Sequence, residues 1–144
     1  MGLRINDTAP DFTADSTAGQ IRFHDWIGDH YAILFSHPKD FTPVCTTEFG
    51  AVAQLAPEFE KRRTKVIGVS VDSVDDHVKW KADIEKVAGA PANFPIIDDT
   101  SLTVSKLYDM LPADAYMPDG RTAADSASVR TVFIVGPDRK VRLT

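Results

Sequence analysis

The 144 residues, of which 43% are hydrophobic and 26% charged, are predicted to form one packed domain of ordinary size. The net charge of −5 argues against a general binder of nucleic acid or of anionic membranes, because those partners select basic proteins. No apolar run has the length of a membrane span, and the N-terminus MGLRINDTAPDF lacks an apolar signal core. We therefore expect a cytoplasmic protein that is not exported.

The first half of the chain contains two predicted strands and one predicted helix. YAILFS, residues 31–36, is a short apolar run and is predicted as a buried strand. An apolar stripe of helical period then runs from Phe49 to Phe59 and predicts a helix, which Pro57 should kink or end. KVIGVSVD, residues 65–72, is rich in β-branched residues and is predicted as the second buried strand.

The second half begins with two predicted helices on either side of a strand. Residues 73–87 are predicted as a helix with Ser73 as its N-cap. FPIIDD, residues 94–99, is predicted as a strand, and residues 99–111 as the next helix. The segment 112–128 is long and irregular, and we interpret it as a solvated insertion rather than a functional loop.

The chain closes with a predicted hairpin. VRTVFIVG, residues 129–136, is the last buried strand, and KVRLT, residues 140–144, returns beside it after the turn GPDR. The alternation of strands and helices predicts an α/β domain, with a parallel or mixed sheet and helices on both faces. The final strand is expected to leave an open sheet edge, so either a partner chain covers this region or the sequence is a fragment.

Cys45 is the only cysteine, which excludes a disulfide within the chain and fits a reducing compartment. Thr42 is predicted to cap a helix that has Pro43 first, Val44 second and Cys45 third. A thiolate there would face unpaired backbone N–H groups at the positive end of the helix, which lowers a cysteine pKa. The competing interpretation is a small buried hydrophobe. The Thr-Pro-x-Cys start, placed directly after a strand and loop, favours the reactive thiol.

Two other residues near this segment have alternative interpretations. His37 is either a base for the thiol or a hydrogen-bonded structural residue. Arg130, within an apolar strand, is either at a sheet edge with its head group in solvent or the cation that a thiolate requires. None of the four histidines pairs with Cys45 or with another histidine at metal-ligand spacing, so no zinc site is predicted.

The segment HPKDFTPVCTTEF closely resembles the active-site segment of peroxiredoxins, Pro-x-x-x-Thr-x-x-Cys. Its wording SHPKDFTPVCTTE is similar to the one-Cys, peroxiredoxin-6-like branch of the AhpC/TSA family, and the resemblance extends over essentially the whole chain. It implies a thioredoxin-like fold with the peroxiredoxin N-terminal extension for residues 1–144. Members of the family normally continue through a last helix and a C-terminal domain, which supply a second arginine and much of the dimer surface.

The resemblance also implies roles for four residues in catalysis. Cys45 would be the peroxidatic thiolate, which attacks a peroxide oxygen and becomes a sulfenic acid. Thr42 would orient the peroxide and the thiolate, and Pro38 would shield the pocket. Arg130 would stabilise the thiolate and the charge that develops on the leaving oxygen.

Further residues would line the substrate pocket. The backbone N–H groups of Val44 and Cys45 would complete the anion site, His37 would line it, and Glu48 would hold the arginine network. No metal, haem or nucleotide cofactor is implied. The substrates would be hydrogen peroxide and organic hydroperoxides, the reductant an external thiol such as glutathione or a thioredoxin-like protein, and the assembly a homodimer or higher homo-oligomer.

The activity expected from these residues is that of a thiol-dependent peroxidase in antioxidant defence and redox homeostasis. An alternative of another class is a redox-regulated holdase or a peroxide-signalling interaction protein, which uses the same cysteine without fast turnover. A third interpretation is an inactive fragment that lacks the segment completing the pocket.

Overall fold

The computed structural model of the chain describes residues 3–36, 43–70, 73–90, 94–108 and 131–144, and for 43–45 it describes the backbone alone. Within these ranges it contains seven strands and five helices. In chain order they are β1 (Thr13–Ser16), β2 (Gly19–Arg22), α1 (Phe23–Ile27), β3 (Tyr31–Ser36), α2 (Pro43–Gln54), α3 (Ala56–Lys61), β4 (Thr64–Ser70), α4 (Val74–Ala88), β5 (Ile96–Asp98), α5 (Thr103–Leu107), β6 (Val132–Val135) and β7 (Val141–Leu143). None of the described helices is long and apolar enough to cross a bilayer.

The strands form one mixed sheet in the order β2-β1-β5-β4-β3-β6-β7. The three central strands, β5, β4 and β3, are parallel, and β1 and β6 pair antiparallel at either side of them. Each predicted strand is therefore present, and so is the hairpin of β6 with β7. Parallel strands need crossover connections, and the helices between β3, β4 and β5 supply them.

Apolar side chains of the central strands point to both faces of the sheet and form two cores. On β3, Leu34 belongs to a core that includes Phe23 of α1 and Tyr108 next to α5. Its neighbours Ile33 and Phe35 point the other way and pack against the core of α2 and α4. Successive residues of a strand alternate between faces, so a continuous apolar run requires cover on both. The predicted layer of helices on each face is confirmed.

Local signals account for most helix boundaries. Helix α2 begins at Pro43, as predicted, and ends at Gln54. Helix α3 begins at Ala56 and has Pro57 in its first turn. Ser73 caps α4 by accepting the N–H of Asp76 at 3.2 Å. Helix α4 ends at Ala88 and is followed by Gly89, whose φ of 65° is the left-handed conformation that glycine adopts readily. The predicted kink near Pro57 and the N-cap at Ser73 are both confirmed.

The predicted helix over 99–111 is wrong at its start. Helix α5 begins at Thr103, because Leu102 has a φ of 64° and interrupts a regular helix. Asp99 is not helical and accepts the N–H groups of Val104 and Ser105 at 2.9 and 2.8 Å. It therefore caps the helix from outside. Residues 109–111 of that prediction lie outside the described residues.

The N-terminal hairpin of β1 and β2, together with α1, was not among the elements predicted from hydrophobic pattern. Gly19 turns the hairpin with a φ of 91°. The side chain of Asp11 accepts the N–H of His24 at 2.8 Å and so caps α1 from outside the helix. Burial acts to raise the pKa of Asp11, but this N–H and the Arg22 guanidinium outweigh it and the pKa is lowered.

The expectation of an open edge at the last strand is corrected in part. The outer side of β7 bonds to the N-terminal segment, where Asn6 N–H donates to Val141 O at 2.8 Å and Val141 N–H donates to Asp7 O at 2.9 Å. Ala9 N–H also donates to Arg139 O at 2.7 Å. The beginning of the chain therefore satisfies backbone groups that would otherwise attract another strand.

Candidate active site

The candidate site lies where the parallel strands end. Strands β3 and β4 run parallel in register, so their last residues Ser36 and Ser70 are at the same edge of the sheet. Helix α2 follows β3 and begins at Pro43, which makes Cys45 its third residue. The carboxyl edge of a parallel sheet is where ligands bind in open α/β folds. The predicted helix start, and with it the position of Cys45 in the first turn, is confirmed.

Strand β6 reaches this edge from the opposite direction. Thr131 N–H donates to Ser36 Oγ at 3.0 Å, and Ser36 N–H donates to Thr131 O at 2.9 Å. Thr131 precedes β6, which lies between β3 and β7 and is an interior strand. The residue that follows Arg130 is therefore held at the end of the strand that leads to Cys45.

Helix α2 rests on the sheet through Phe49. This side chain is fully buried, with ring centroids 4.5 Å from Phe35, 4.8 Å from Trp80 and 5.3 Å from Phe94. Its ring lies over Gly68 of β4, where an added Cβ would be 2.9 Å from two ring carbons. Because aromatic neighbours enclose the ring, it has little room to yield. Gly68 thus sets how close the cysteine-bearing helix lies to the sheet.

We predict that Gly68→Ala lowers the free energy of unfolding by about 1–3 kcal/mol, the usual effect of overpacking a core. Gly50→Ala is the matched control on α2, because its Cβ would meet Ala88 at 3.5 Å, an ordinary contact. That control should be neutral or slightly stabilising, since alanine is favoured over glycine inside a helix. Urea denaturation measures both, and equal stability of the two variants would contradict the role given to Gly68.

Helices α2 and α4 are joined by two hydrogen bonds of described residues. Near the start of α2, Trp80 Nε1–H donates to Thr46 Oγ1 at 2.8 Å. At its end, Gln54 Nε2–H donates to Ala88 O at 2.9 Å. Sequence reasoning missed Thr46 and Trp80 as a pair, because they are 34 residues apart. The one signal in the sequence was Trp80 on the apolar side of a predicted helix.

The other predicted site residues are described to different extents. Glu48 lies on the exposed side of α2, and its role in an arginine network stays a prediction. Val44 is the second residue of α2, in the place predicted for its N–H. The remaining four lie outside the described residues, as does the predicted insertion at 112–128: His37, Pro38, Thr42 and Arg130.

Buried polar residues near the same edge serve structural roles. Burial raises the pKa of Asp99 although Ser105 and backbone N–H groups donate to it. This carboxyl group caps α5. His77 is fully buried and its Nε2–H donates to Ile97 O at 2.8 Å, which ties α4 to β5. Among the residues that the structure describes, no cluster of three metal-ligating side chains is found.

An apolar cleft of about 260 Å³ lies elsewhere, at the far end of α2. Its walls include Trp26, Val52, Phe59 and Phe94. Val52 is about two helical turns along α2 from Cys45, which at 1.5 Å per residue is roughly 10 Å. The cleft is therefore separate from the first turn that carries the cysteine.

The fold and the site together define a class of protein. The sheet is mixed with a parallel centre and has an antiparallel hairpin ahead of it, and a cysteine lies in the first turn of the helix after β3. These features are those of a thioredoxin-like domain of the peroxiredoxin type. The model of the AhpC/TSA family matches residues 5–144, and the chain belongs to that family.

Individual relatives agree with this assignment. The chain is 50% identical over 144 residues to the mitochondrial peroxiredoxin PRX1 of Saccharomyces cerevisiae, covering 98% of this chain and 54% of that protein. It is 50% identical over 147 residues to peroxiredoxin-6 of Mus musculus, covering 99% of this chain and 64% of that protein. The chain thus spans between about half and two thirds of the length of these relatives.

Solved structures give the same result for the fold. The C45S variant of peroxiredoxin 6 from Arenicola marina matches with a TM-score of 0.88 at 42% identity, over 99% of this chain and 64% of that one. The yeast mitochondrial 1-Cys peroxiredoxin matches with a TM-score of 0.86 at 50% identity, over 98% of this chain and 66% of that one. The predicted thioredoxin-like fold and the resemblance to the one-Cys, peroxiredoxin-6-like branch are confirmed.

Proposed function

We propose that this chain is the catalytic part of a thiol-dependent peroxidase that reduces hydrogen peroxide and organic hydroperoxides, in antioxidant defence and redox homeostasis. The observation that carries the proposal is the position of Cys45, third in α2 at the carboxyl edge of the parallel strands. Membership of the AhpC/TSA family and the peroxiredoxin names of its relatives support it. Those names do not favour the redox-regulated holdase.

The helix start supplies part of what the thiolate needs. The first N–H groups of a helix have no backbone partner within it, and we assign those of Val44 and Cys45 to the anion site. A helix end is worth typically 0.3–1 kcal/mol to a nearby charge, whereas one pKa unit is about 1.4 kcal/mol. The helix alone therefore lowers the pKa of a thiol by less than one unit. A cation must supply the rest, and we assign it to Arg130.

The reaction consists of a displacement at oxygen. The Cys45 thiolate forms an S–O bond to the peroxide oxygen, and the O–O bond breaks to release water from hydrogen peroxide or an alcohol from a hydroperoxide, after one proton is taken up. Sulfur is oxidised by two electrons to a sulfenic acid. A low pKa alone does not make this step fast, because nucleophilicity falls with pKa. Arg130, Thr42 and the N–H groups would hold the charge that moves to the leaving oxygen.

We propose that an external thiol returns Cys45 to the thiolate, and the single cysteine of these 144 residues supports this. One thiol condenses with the sulfenic acid to a mixed disulfide and water, and a second thiol exchanges with it to restore Cys45. In the yeast mitochondrial 1-Cys peroxiredoxin, the thiol is resolved via glutathione and thioredoxin systems. We propose glutathione or a thioredoxin-like protein as the reductant here.

The test is stopped-flow mixing of the reduced protein with hydrogen peroxide, followed by Trp26 and Trp80 fluorescence, with dimedone trapping at Cys45. We expect one trapped sulfenic acid and a reaction at least about 10²-fold faster than that of free cysteine at the same pH, the factor that one pre-organised donor contributes. A rate no better than that of free cysteine would reject a peroxidase formed by this chain alone.

We also propose a homodimer or higher homo-oligomer in the cytoplasm. The support for association is an apolar strip on one face of the sheet, where Tyr31, Val132 and Leu143 are 43%, 44% and 50% exposed. A single mass equal to the monomer in sedimentation equilibrium at micromolar concentration would reject association.

For the proposed location in the cytoplasm, the support is a lone thiol suited to a reducing compartment. Fractionation of cells with detection of the natural protein tests the cytoplasm against the mitochondrion.

A further inference from the structure

The first turn of α2 is held by a side chain from another helix. Trp80 of α4 is fully buried, and its indole N–H donates to the hydroxyl of Thr46 at 2.8 Å. Thr46 directly follows Cys45 and is half-buried. In a helix that begins at Pro43, the N–H of Thr46 is the first that can bond to a carbonyl of the preceding turn. The regular backbone hydrogen bonds of α2 therefore begin at Thr46, directly after the N–H groups that have no backbone partner in the helix.

Trp80 is itself rigidly placed. Its ring meets Phe49 edge to face at a centroid distance of 4.8 Å, and Phe49 lies over Gly68 of the central sheet. One turn earlier on α4, buried His77 is bonded to Ile97 O at 2.8 Å. The donor to Thr46 therefore lies on a helix that is bonded to β5, and its ring packs against the buried Phe49 of α2. A hydrogen bond from such a donor holds its acceptor in one place.

We propose that Trp80 is a positioning residue for Cys45, acting through Thr46. The bond from Trp80 keeps the first turn of α2 wound, so that the N–H groups of Val44 and Cys45 converge on the thiolate and on the peroxide. This inference rests on the peroxidase function proposed above. Trp80 touches neither substrate nor thiolate in this role, and its effect is on the geometry of the anion site.

Four variants of the natural full-length protein separate this role from general support of the helix. Thr46→Val removes the acceptor with little change of shape, and Trp80→Phe removes the donor while keeping an aromatic ring. Thr46→Ser keeps the hydroxyl. Gln54→Met is the matched control, because it removes a second hydrogen bond between described residues of α2 and α4, at the exposed end away from Cys45.

Two readouts are taken for each variant. The first is the rate constant for sulfenic acid formation, from rapid quenching with dimedone and mass spectrometry, which does not depend on tryptophan fluorescence. The second is the pH dependence of Cys45 alkylation by iodoacetamide, which reports the thiolate. Thermal unfolding checks that each variant is folded.

We expect Thr46→Val and Trp80→Phe each to slow sulfenic acid formation by about three- to tenfold, the effect of one net hydrogen bond. Both should move the alkylation midpoint to higher pH, and the double variant should be no slower than either single one. Thr46→Ser should stay within about twofold of wild type, and Gln54→Met should shift neither readout.

Two results would overturn the inference while leaving the peroxidase intact. One is a fast wild type with Thr46→Val and Trp80→Phe unchanged. The other is an equal loss in all of Thr46→Val, Trp80→Phe and Gln54→Met, which would indicate support of the helix as a whole. A wild type no faster than free cysteine would instead reject the proposed function, and the inference with it.

Discussion

Replacing Cys45 with serine is expected to abolish peroxide reduction and leave the fold intact. We expect a fall of at least about 10⁴-fold, within the range seen when a catalytic nucleophile is removed. A serine hydroxyl stays protonated near neutral pH, where the helix end and a cation can maintain only the more acidic thiol as an anion. Serine is nearly isosteric and is well tolerated in the first turn of a helix. Consumption of hydrogen peroxide in the presence of excess thiol measures the loss, and the thermal unfolding midpoint measures the fold.

Thr47→Ser is the matched control for that experiment, because Thr47 is exposed on the same helix two residues further on. It should consume peroxide at the wild-type rate. Peroxide consumption by Cys45→Ser equal to that of this control would remove Cys45 from the mechanism. Holdase activity that persists in Cys45→Ser while wild type lacks fast peroxide reduction would favour the interaction protein over the enzyme.

Arg130→Met is expected to raise the pKa of Cys45 and to slow its reaction with peroxide. An opposite charge within about 4–6 Å lowers an acidic pKa by 1–3 units, so removing the guanidinium should raise the thiol pKa by about one unit or more. The same cation would stabilise the leaving oxygen, and losing such a donor slows a reaction about 10²–10³-fold. Methionine has an apolar chain of similar length to the stem of arginine, so the substitution chiefly removes the positive charge. The alkylation profile gives the pKa, and rapid quenching gives the rate.

The position of Thr131, the next residue in the chain, supports the choice of Arg130. Thr131 is bonded in both directions to Ser36, at the end of the strand that leads to α2. Arg62→Met is the matched control, since Arg62 is exposed directly after α3, pairs with Glu58 at 2.8 Å and carries the same charge away from the carboxyl edge. Arg62→Met should change neither the pKa of Cys45 from the alkylation profile nor the rate of its reaction with peroxide. An unchanged pKa and an unchanged rate in Arg130→Met would mean that the role assigned to Arg130 is wrong.

Much of the local structure could be predicted because its causes are local. The runs YAILFS and KVIGVSVD become buried parallel strands, since β-branched and apolar residues without polar alternation require cover on both faces. Pro43 starts α2 because proline lacks the N–H that a first helical residue does not need. Ser73 caps α4 for the complementary reason, as its oxygen accepts an orphan N–H. The position of Cys45 in the first turn follows from these rules alone.

Contacts between distant segments could not be predicted in this way. Hydrophobic period does not say which strand is adjacent to which, and only the folded sheet puts β1 beside β5 and the N-terminal segment against β7. The start of α5 depends on Asp99, which caps it from outside the helix. The distance between α2 and the sheet depends on the contact of Phe49 with Gly68.

Within the site itself, some features follow from local sequence signals and others depend on tertiary contacts. The sequence determined that a lone thiol occupies the first turn of a helix after a buried strand, because caps, prolines and strand patterns act over a few residues. The tertiary structure alone decided that Trp80 bonds to Thr46 and that Thr131 bonds to Ser36. Those pairs are 34 and 95 residues apart, and they meet because α2 and α4 pack into one core and because β6 pairs with β3.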